Sequence, residues 1–352
     1  MFAFVVRRLL FLPVVFFGVT IFIVLLMQLL TPIQRASTYA QTPQQARNLP
    51  EIVERYGLDD PWYQQYGRWL SQVAQGNMGY SKVTNEPVLT TIRKRFPATL
   101  ELALYAIIPV IGIGIWLGTA AALNRDKFID QFTRVAAIVG FSLPSFVAGI
   151  WLLVVFYGML GGFLSEFLGG AFRVEPGRLS TRFVVELASA DFARPTGLLT
   201  IDSLINGRFD IFWNAVLHMI LPVTTLAIIS SAQILRVMRS SLLDVLSQDY
   251  VRTARAKGLP QNMVNYKHAR RNALIPVITL SGLVLFSLFN GVVITETVFN
   301  YPGLGQWGAT AATQLDYAAV LGFAVFTAMV VVIANLLVDI LYGVIDPRIR
   351  YN

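Results

Sequence analysis

The sequence predicts an all-α, polytopic membrane protein with six transmembrane helices, and three observations lead to this fold class. First, 55% of the 352 residues are hydrophobic and only 14% are charged, which is too apolar for a water-soluble domain. Second, several unbroken apolar runs reach about 20 residues, the length that crosses roughly 30 Å of hydrocarbon as a helix. Third, the basic residues are distributed so that they assign a side of the membrane to each connection.

The six predicted spans begin close to the N-terminus. The first, Leu9–Leu30, follows Arg7 and Arg8 and is longer than the apolar region of about 7–15 residues in a signal peptide, so we expect an uncleaved helix. The other spans are predicted at Leu100–Leu123, Thr133–Leu160, Phe212–Leu235, Ala273–Phe299 and Tyr317–Tyr342. Prolines inside the spans can bend these helices, and they are Pro13, Pro109, Pro144, Pro222 and Pro276.

The basic residues predict the orientation of the chain. Six crossings place both termini on the same side of the membrane. Fifteen of the 28 Lys and Arg residues lie at the termini or in the second–third and fourth–fifth connections, whereas the short connection Asn300–Asp316 has none. Because basic residues concentrate on the cytoplasmic side, the N- and C-termini are expected in the cytoplasm.

The expected organisation follows from these spans. It comprises an N-terminal transmembrane helix (1–30), an external segment with short helices (31–99), a five-helix core (100–342) and a cytoplasmic tail (343–352). The core carries an external insert (161–211) and a basic cytoplasmic loop (236–272). Glu101 and Glu296 are expected at the external interface, where water solvates a carboxylate.

Glycine and proline predict local features of this organisation. Thr42 and Pro43 predict the start of a short helix that Gly57 ends, and Asp60 and Pro61 predict the start of another that Gly76 ends. The stretch "GIGIWLG" places small residues on one helix face and predicts close helix packing at Gly112, Gly114 and Gly118.

The sequence contains little that indicates chemistry by this chain itself. Its two histidines, His218 and His268, are too few and too far apart to predict a metal site, and there is no cysteine. No GxxxxGK[ST] phosphate loop is present, so ATP hydrolysis by that route is excluded. We therefore expect no catalytic residue, no metal and no cofactor bound by this chain.

The most organised basic segment is "DYVRTARAKGLP" (Asp249–Pro260), called the basic turn below. Its helical pattern ends where Gly258 can adopt the left-handed conformation and Pro260 prevents continuation. The segment can be a solvated loop with positive-inside charge, a DNA-binding helix–turn–helix, or a docking element for a cytoplasmic protein. A connection tied to the membrane at both ends leaves little room for a DNA duplex. Small residues allow a partner to approach closely, and Arg252, Arg255 and Lys257 attract acidic groups.

This segment resembles the cytoplasmic "EAA" loop of ABC-importer permeases, in the version of the dipeptide and oligopeptide permeases. That version carries "DYxRTARAKGL" followed by "RNAxxP", which match Asp249–Leu259 and Arg271–Pro276. Arg252 stands where the general pattern often has its first glutamate, and the proline lies farther from the glycine. Six further blocks resemble the family in the same order and extend the resemblance over nearly the whole chain: "YGLDDPWYQQYGRWL" (56–70), "PATLEL" (97–102), "SLPSF" (142–146), "HMILP" (218–222), "TETVFNYPGLGQW" (295–307) and "DPRIR" (346–350).

The resemblance implies the type I ABC-importer permease fold, a place in the bacterial cytoplasmic (inner) membrane, and transport by alternating access. It implies three kinds of protein partner in the lipid bilayer and around it: a second homologous permease subunit, two ATP-binding cassette subunits that bind ATP and Mg, and an extracytoplasmic solute-binding protein. No nucleic acid is expected. The residues implied in docking to the ATPase are Asp249, Arg252, Thr253, Ala254, Arg255, Ala256, Lys257 and Gly258. The solute stays open among dipeptides, oligopeptides, glutathione, nickel complexes and oligosaccharides.

Candidates for the solute pathway are Ser142, Pro144, Phe146 and Asn290, which are polar, kinking or aromatic features within spans. Helix packing is the plainer interpretation of each. The alternative function is a secondary transporter or channel that does not use ATP, which needs a coupling-ion site in the bundle. A third possible function is a membrane-anchored regulator that binds nucleic acid or carries a signal. Only the basic turn supports this hypothesis.

Overall fold

The computed structural model is almost wholly helical and describes residues 2–40, 42–167, 176–189 and 191–345. Within these ranges the side chains of residues 2–9, 11, 12, 164, 165, 167, 285, 286, 289–291, 335 and 337–345 lie outside the description. The α-helices are α1 (Phe2–Met27), α2 (Pro32–Ala36), α3 (Pro43–Arg47), α4 (Leu49–Tyr56), α5 (Trp62–Ala74), α6 (Val88–Leu123), α7 (Phe128–Ser142), α8 (Ser145–Leu152), α9 (Gly161–Phe167), α10 (Val184–Ala188), α11 (Leu199–Ile205), α12 (Phe209–Leu246), α13 (Asp249–Ala256), α14 (Arg270–Val298), α15 (Leu304–Thr313) and α16 (Tyr317–Ile345).

Shorter elements complete the description. Strands β1 (Tyr80–Ser81) and β2 (Glu86–Pro87) pair antiparallel, with Tyr80 opposite Pro87 and Ser81 opposite Glu86. Two segments are π-helical, Leu153–Met159 and Met263–Ala269, and Thr181–Phe183 is a 3₁₀ turn. The chain divides into two units, the first made of Met1–Pro97 with Pro302–Asn352 and the second of Ala98–Tyr301.

The helices confirm an all-α membrane protein, and each of the six predicted spans falls on a long helix or on a helix pair. Among the described residues, three helices are long and apolar enough to cross a membrane: Val88–Leu123, Phe209–Leu246 and Tyr317–Ala334. The pair Phe128–Ser142 and Ser145–Met159 makes a fourth crossing if it is one bent span, and Pro13–Met27 is a shorter apolar helix. The count of six crossings stays a prediction.

The predicted span Thr133–Leu160 is broken in the structure. Helix α7 ends at Ser142, Leu143 is extended with φ −75° and ψ 125°, and Pro144 lies at the N-cap of α8. The axes on either side of the break differ by 105°. Proline lacks the backbone N–H that would continue a helix and pushes the preceding residue out of the helical region, so Pro144 and Leu143 explain the break.

In the first unit, the predicted helix from Pro43 to Gly57 is two helices. Thr42 caps the first, because its Oγ1 accepts from the backbone N–H of Gln45 at 3.3 Å, and Gly57 ends the second with φ +56°. The prediction of one helix was wrong because Pro50 follows, whose ring cannot be accommodated by a helix that continues from α3.

The start of α5 also differs from its prediction. Pro61 occupies the N-cap without a side-chain cap bond, and Gly76, with φ +82°, follows the C-terminal end of the helix as expected. Asp60 does not cap α5. Its carboxylate accepts from Nη2 of Arg68 at 2.6 Å, which ties the segment before α5 to the helix itself.

In the second unit, helices α6 and α12 approach closely at two glycines. A Cβ added to Gly114 would lie 2.5 Å from Cβ of Ile234, and one added to Gly118 would lie 2.7 Å from the backbone carbonyl oxygen of Leu235. At Gly112 an added Cβ would meet no heavy atom within 4 Å. The packing prediction for this small-residue face is therefore confirmed for two of its three glycines.

Glu101 and Glu296 are buried in the second unit, which corrects their expected place at a solvated interface. The Glu101 carboxylate accepts from Nη2 of Arg178 at 2.6 Å and from both the backbone N–H and the hydroxyl of Thr200 at 2.7 Å. The Thr99 hydroxyl donates to Glu296 at 2.5 Å. Burial lowers the pKa of Arg178, but Tyr301 and Glu101 beside it raise that pKa by more, so the guanidinium stays charged.

Candidate coupling site

The basic turn lies between two long helices of the second unit. Helix α12 ends at Leu246, and Gln248 is extended with φ −72° and ψ 150°, so α13 starts in a new direction at Asp249. The Asp249 carboxylate lies in the first turn of α13, where it interacts favourably with the positive end of the helix dipole. The sequence thus separates an eight-residue helix from the span before it.

The C-terminal end of α13 is closed by a complete Schellman motif. Gly258 adopts φ +74°, its N–H donates to the Arg255 carbonyl at 2.9 Å, and the Leu259 N–H donates to the Ala254 carbonyl at 3.4 Å. These two bonds satisfy carbonyls that the helix end leaves without partners. The left-handed turn predicted at Gly258 is confirmed.

One face of α13 packs against the chain itself and the other is exposed. Val251 and Ala254 are buried in the same apolar cluster as Leu242, Val264 and Ala269. The other seven residues that the sequence assigned to docking are exposed, namely Asp249, Arg252, Thr253, Arg255, Ala256, Lys257 and Gly258. Ala254 therefore holds α13 in place, whereas sequence reasoning placed its side chain on the partner-facing surface.

The exposed face carries positive charge that the chain itself does little to neutralise. Arg252 and Asp249 form an ion pair at 3.4 Å, but both side chains are largely exposed, so water screens this pair strongly. Within the described part of the chain, Arg255 and Lys257 have no ion-pair partner. This surface can therefore attract an acidic partner.

A polar contact connects α13 to the helix that follows the turn. Nδ2 of Asn272 donates to the Tyr250 hydroxyl at 2.8 Å and to the His268 carbonyl at 3.3 Å. Asn272 lies in the first turn of α14, and His268 lies in the π-helical segment Met263–Ala269. One amide thus joins α13, the π-helical segment and the start of α14, a contact that the sequence did not predict.

The pathway candidates come together only in part. Ser142 ends α7, Pro144 caps α8 and Phe146 lies in its first turn, so these three flank the 105° break. The backbone of Asn290 lies in α14, and its side chain lies outside the described residues. An apolar cavity of about 420 Å³ adjoins the break, but Ser142, Pro144 and Phe146 do not line it. Its lining residues are Val139, Leu143, Val147, Ala148, Trp151, Leu152, Val155, Phe156 and Ile228.

Sequence reasoning did not identify the ion pair between Asp130 and Arg239. The carboxylate of Asp130 is fully buried and accepts from Nε and Nη2 of Arg239 at 2.6 and 2.7 Å. The Asp126 N–H donates to the same carboxylate at 3.0 Å. An acidic residue near the end of one predicted span and a basic residue near the end of another were visible signals, but the sequence did not show that they meet.

Long apolar helices, with a capped basic helix that has one exposed face between two of them, define a polytopic membrane protein. Residues 111–351 match the family described as "Binding-protein-dependent transport system inner membrane component". Residues 1–103 match the companion N-terminal family of these membrane components. The chain belongs to this family.

Similar proteins agree with this assignment over most of their length. The "Probable D,D-dipeptide transport system permease protein DdpB" of Escherichia coli K12 is 42% identical over 85% of this chain and 83% of its own. The "Di/tripeptide transport system permease protein DppB" of Pseudomonas aeruginosa is 39% identical over 100% of both chains. The "Oligopeptide transport system permease protein AppB" of Bacillus subtilis is 38% identical over 86% and 84%.

Family membership identifies the chain as a multi-pass inner-membrane permease subunit of a binding-protein-dependent transport system. It is a transport subunit and not an enzyme. This decides against the secondary transporter, the channel and the membrane-anchored regulator that the sequence had left as alternatives.

Proposed function

We propose that this chain is the permease subunit of an ATP-driven importer of dipeptides or short oligopeptides. The names of the similar proteins support this choice of solute, since they refer to D,D-dipeptides, di- and tripeptides, and oligopeptides. Glutathione, nickel complexes and oligosaccharides do not appear in these names. Peptides are therefore the first solutes to test.

The proposed assembly contains a second, homologous permease subunit, two ATP-binding cassette subunits with ATP and Mg, and an extracytoplasmic solute-binding protein. The proposed orientation places both termini and the basic turn in the cytoplasm. The positive-inside distribution of Lys and Arg supports this orientation. The ATPase subunits then lie on the side where the exposed positive face of α13 is available.

The observation that carries the proposed mechanism is the two-faced character of α13. Its buried face, with Val251 and Ala254, fixes it to the chain, while its exposed face carries Arg252, Arg255 and Lys257. We propose that this exposed face docks in a groove of an ATPase subunit. When ATP binds, the two ATPase subunits close on each other and move α13. Helices α12 and α14 move with it, and this changes the side of the membrane from which the solute site is accessible.

The assembly is tested by affinity purification of the chain from its native membrane in mild detergent, with all copurifying proteins identified. We expect a second permease and ATPase subunits. Replacing both Arg255 and Lys257 by Glu should remove the ATPase subunits and leave the second permease bound. As a matched control, the same charge reversal at Lys82 and Lys94, in the first unit, should leave the whole assembly intact. Retention of the ATPases after reversal at Arg255 and Lys257 contradicts the docking proposal.

The solute is tested by uptake of labelled dipeptide, tetrapeptide and glutathione in cells that lack this chain and in cells to which it is restored. We expect restoration to recover uptake of at least one peptide and to leave glutathione uptake unchanged. Peptide uptake that is unchanged by loss of the chain contradicts the proposed solute. If the affinity purification still recovers ATPase subunits with the chain, the importer assignment stands and another solute must be sought.

The pathway proposal concerns Ser142, Pro144, Phe146 and Asn290. Support comes from the break at Pro144, because irregular backbone inside a membrane occurs where it is buried in protein or lines a water-filled cavity. The chain has no cysteine, so single cysteines at Ser142 and Phe146 can be probed cleanly with a water-soluble thiol reagent. The proposal is supported if these cysteines react with the reagent and transported peptide slows the reaction. Absence of reaction in every transport state contradicts it.

A further inference from the structure

Helix α11 buries its three polar residues and exposes three of its four apolar residues. Thr200, Asp202 and Ser203 are at most 2% exposed, whereas Ile201, Leu204 and Ile205 are 43%, 44% and 57% exposed. A helix on the surface of a water-soluble protein has the opposite arrangement, with its apolar stripe toward the core. The reversed pattern indicates that the surroundings of α11 are apolar.

Exposed large apolar side chains continue into the first turns of α12. Phe209 and Trp213 are 69% and 59% exposed, while the polar Asn214 is buried. Ile201, Leu204, Ile205, Phe209 and Trp213 are called the apolar strip below. Ile201, Leu204 and Ile205 share one face of α11, and Phe209 and Trp213 share one face of α12. The charged residue between the last two, Asp210, is also exposed and is paired with Arg208.

The buried polar side chains behind the strip are bonded inside the protein. Asp202 accepts from the N–H and hydroxyl of Thr196 at 3.1 and 2.7 Å. Asn214 accepts from the Ser180 N–H at 2.9 Å and donates to the Ser180 hydroxyl at 3.1 Å. These groups therefore need no water, as is required of polar groups that lie at membrane depth.

The two helices form a hairpin. Gly207, with φ +67°, reverses the chain between them, and Leu199 packs in one cluster with Ile211 and Ala215. The start of α11 thus lies beside the second turn of α12. Since α12 is a candidate membrane span and a helix rises about 1.5 Å per residue, α11 extends roughly 10 Å from the turn along α12.

We infer that the apolar strip contacts the acyl chains of lipids, so that α11 and the first turns of α12 form a helical hairpin that dips into the outer part of the bilayer. The sequence had placed residues 199–205 in an external insert to which it assigned no structure. Arg208 lies at the turn and is paired with Glu186 and Asp210, which suits the level of the lipid headgroups. Phe209 and Trp213 then occupy the depth where aromatic residues concentrate in membrane proteins.

Lipid is the occupant that the structure favours over a protein partner. Two residues of the strip belong to a helix that is itself long and apolar enough to cross the membrane. The other three belong to α11, which buries all three of its polar side chains. A binding protein that arrives from water would leave the strip exposed to water whenever it dissociates, at the full cost of hydrating five large apolar side chains. The inference does not depend on the identity of the solute.

The test uses single cysteines in the full assembly, reconstituted in phosphatidylcholine–phosphatidylglycerol vesicles and labelled with a nitroxide. Cysteines replace Ile201 and Ile205 in the strip, and the control is Asp191→Cys, an exposed polar site in the same insert. Power-saturation EPR then compares collisions with O₂, which concentrates in the bilayer, and with nickel-EDDA, which stays in water. We expect a severalfold higher ratio of O₂ to nickel collisions at residues 201 and 205 than at residue 191.

Each result decides the inference. If the ratio of O₂ to nickel collisions at residues 201 and 205 is as low as at residue 191, the strip lies in water and the inference is wrong. Low collision rates with both reagents mean that protein covers the strip, which overturns it in favour of a second permease or a binding protein. Copurification of the ATPase subunits checks that each labelled variant is assembled, and Leu204→Cys replaces any variant that is not.

Discussion

Asp130 of α7 and Arg239 of α12 are joined by two parallel hydrogen bonds of 2.6 and 2.7 Å. The carboxylate is fully buried, and its second oxygen also accepts from the Asp126 N–H at 3.0 Å. A paired guanidinium and carboxylate have a fixed mutual geometry, so this contact sets the position of α7 against the helix that leads to the basic turn.

Removing one charge of this pair is expected to destabilise the second unit. Asp130→Asn keeps the size of the side chain but leaves the Arg239 guanidinium without its counter-ion. We expect this to lower the free energy of unfolding by about 3 kcal/mol. This value is the lower end of the range for a buried ion pair, because Arg239 is partly exposed. Thermal unfolding of the purified chain in detergent measures the loss. Asp130→Asn combined with Arg239→Gln should recover part of the stability, since no unpaired charge remains. An unchanged unfolding temperature for Asp130→Asn contradicts the predicted importance of the pair.

A second prediction concerns the contact of α6 with α12. Gly118→Ala places a methyl group 2.7 Å from the Leu235 carbonyl oxygen, and backbone cannot yield as a flexible side chain can. We expect a loss of roughly 1–3 kcal/mol in the free energy of unfolding, the cost of overpacking a close contact. Gly112→Ala is the matched control, because an added Cβ there meets no heavy atom within 4 Å. Equal unfolding temperatures for the two variants would show that the helices do not pack through Gly118.

Local chemistry explains which features the sequence could predict. The apolar runs determine where the long helices lie, and Gly258 with Pro260 determines the end of α13, because each of these features depends on residues close together in the chain. Proline shows the limit of such reasoning. Pro222 and Pro276 stay inside continuous helices, whereas Pro144 accompanies a 105° break. All three remove a backbone donor, so a proline in the sequence does not by itself predict whether its helix continues or breaks.

Features that depend on distant residues could not be predicted. Glu101 meets Arg178 and Thr200, which lie 77 and 99 positions away, so its burial was not visible in its own neighbourhood. Helix α11 lies in the insert 161–211, to which the sequence assigned no structure, and it contains the polar residues Thr200, Asp202 and Ser203. The structure shows that these polar side chains face inward. Likewise, Ala254 is small in the sequence, and only the fold shows that it faces its own core.

The third prediction isolates the backbone conformation of the basic turn. Gly258 has φ +74°, and an added Cβ would meet no heavy atom of this chain within 4 Å, so within the chain substitutions there act through backbone strain. A left-handed conformation costs an ordinary L-residue about 1–2 kcal/mol, more for a β-branched residue and less for Asn. We therefore expect coupling of ATP hydrolysis to transport to fall in the order Gly, Asn, Ala, Val. The ratio of peptide taken up to ATP hydrolysed in reconstituted vesicles measures this, and equal ratios for Asn and Val reject the role of the turn.

The last prediction concerns the Tyr250 hydroxyl and the Asn272 amide, which lie 2.8 Å apart. Helix α13 is flanked by the extended Gln248 and the left-handed Gly258, so neither of its ends continues as a helix into the next element, and the apolar contacts of its buried face have little directionality. The hydrogen bond to Asn272 supplies direction and connects α13 to the first turn of α14. Tyr250→Phe removes one hydroxyl at an exposed position, so folding is expected to persist while less of the movement of α13 reaches α14.

We expect Tyr250→Phe and Asn272→Ala each to lower the ratio of peptide transported to ATP hydrolysed, by a few-fold, and the double variant to be no worse than either single one. Tyr266→Phe is the control, since it makes the same change on the same loop and keeps the ring that lies 5.8 Å from the Arg270 guanidinium. A purely structural role for Tyr250 would lower the unfolding temperature and leave the ratio unchanged. Additive effects in the double variant would show that the two side chains act separately, and the contact would then have no part in transmitting movement from α13 to α14.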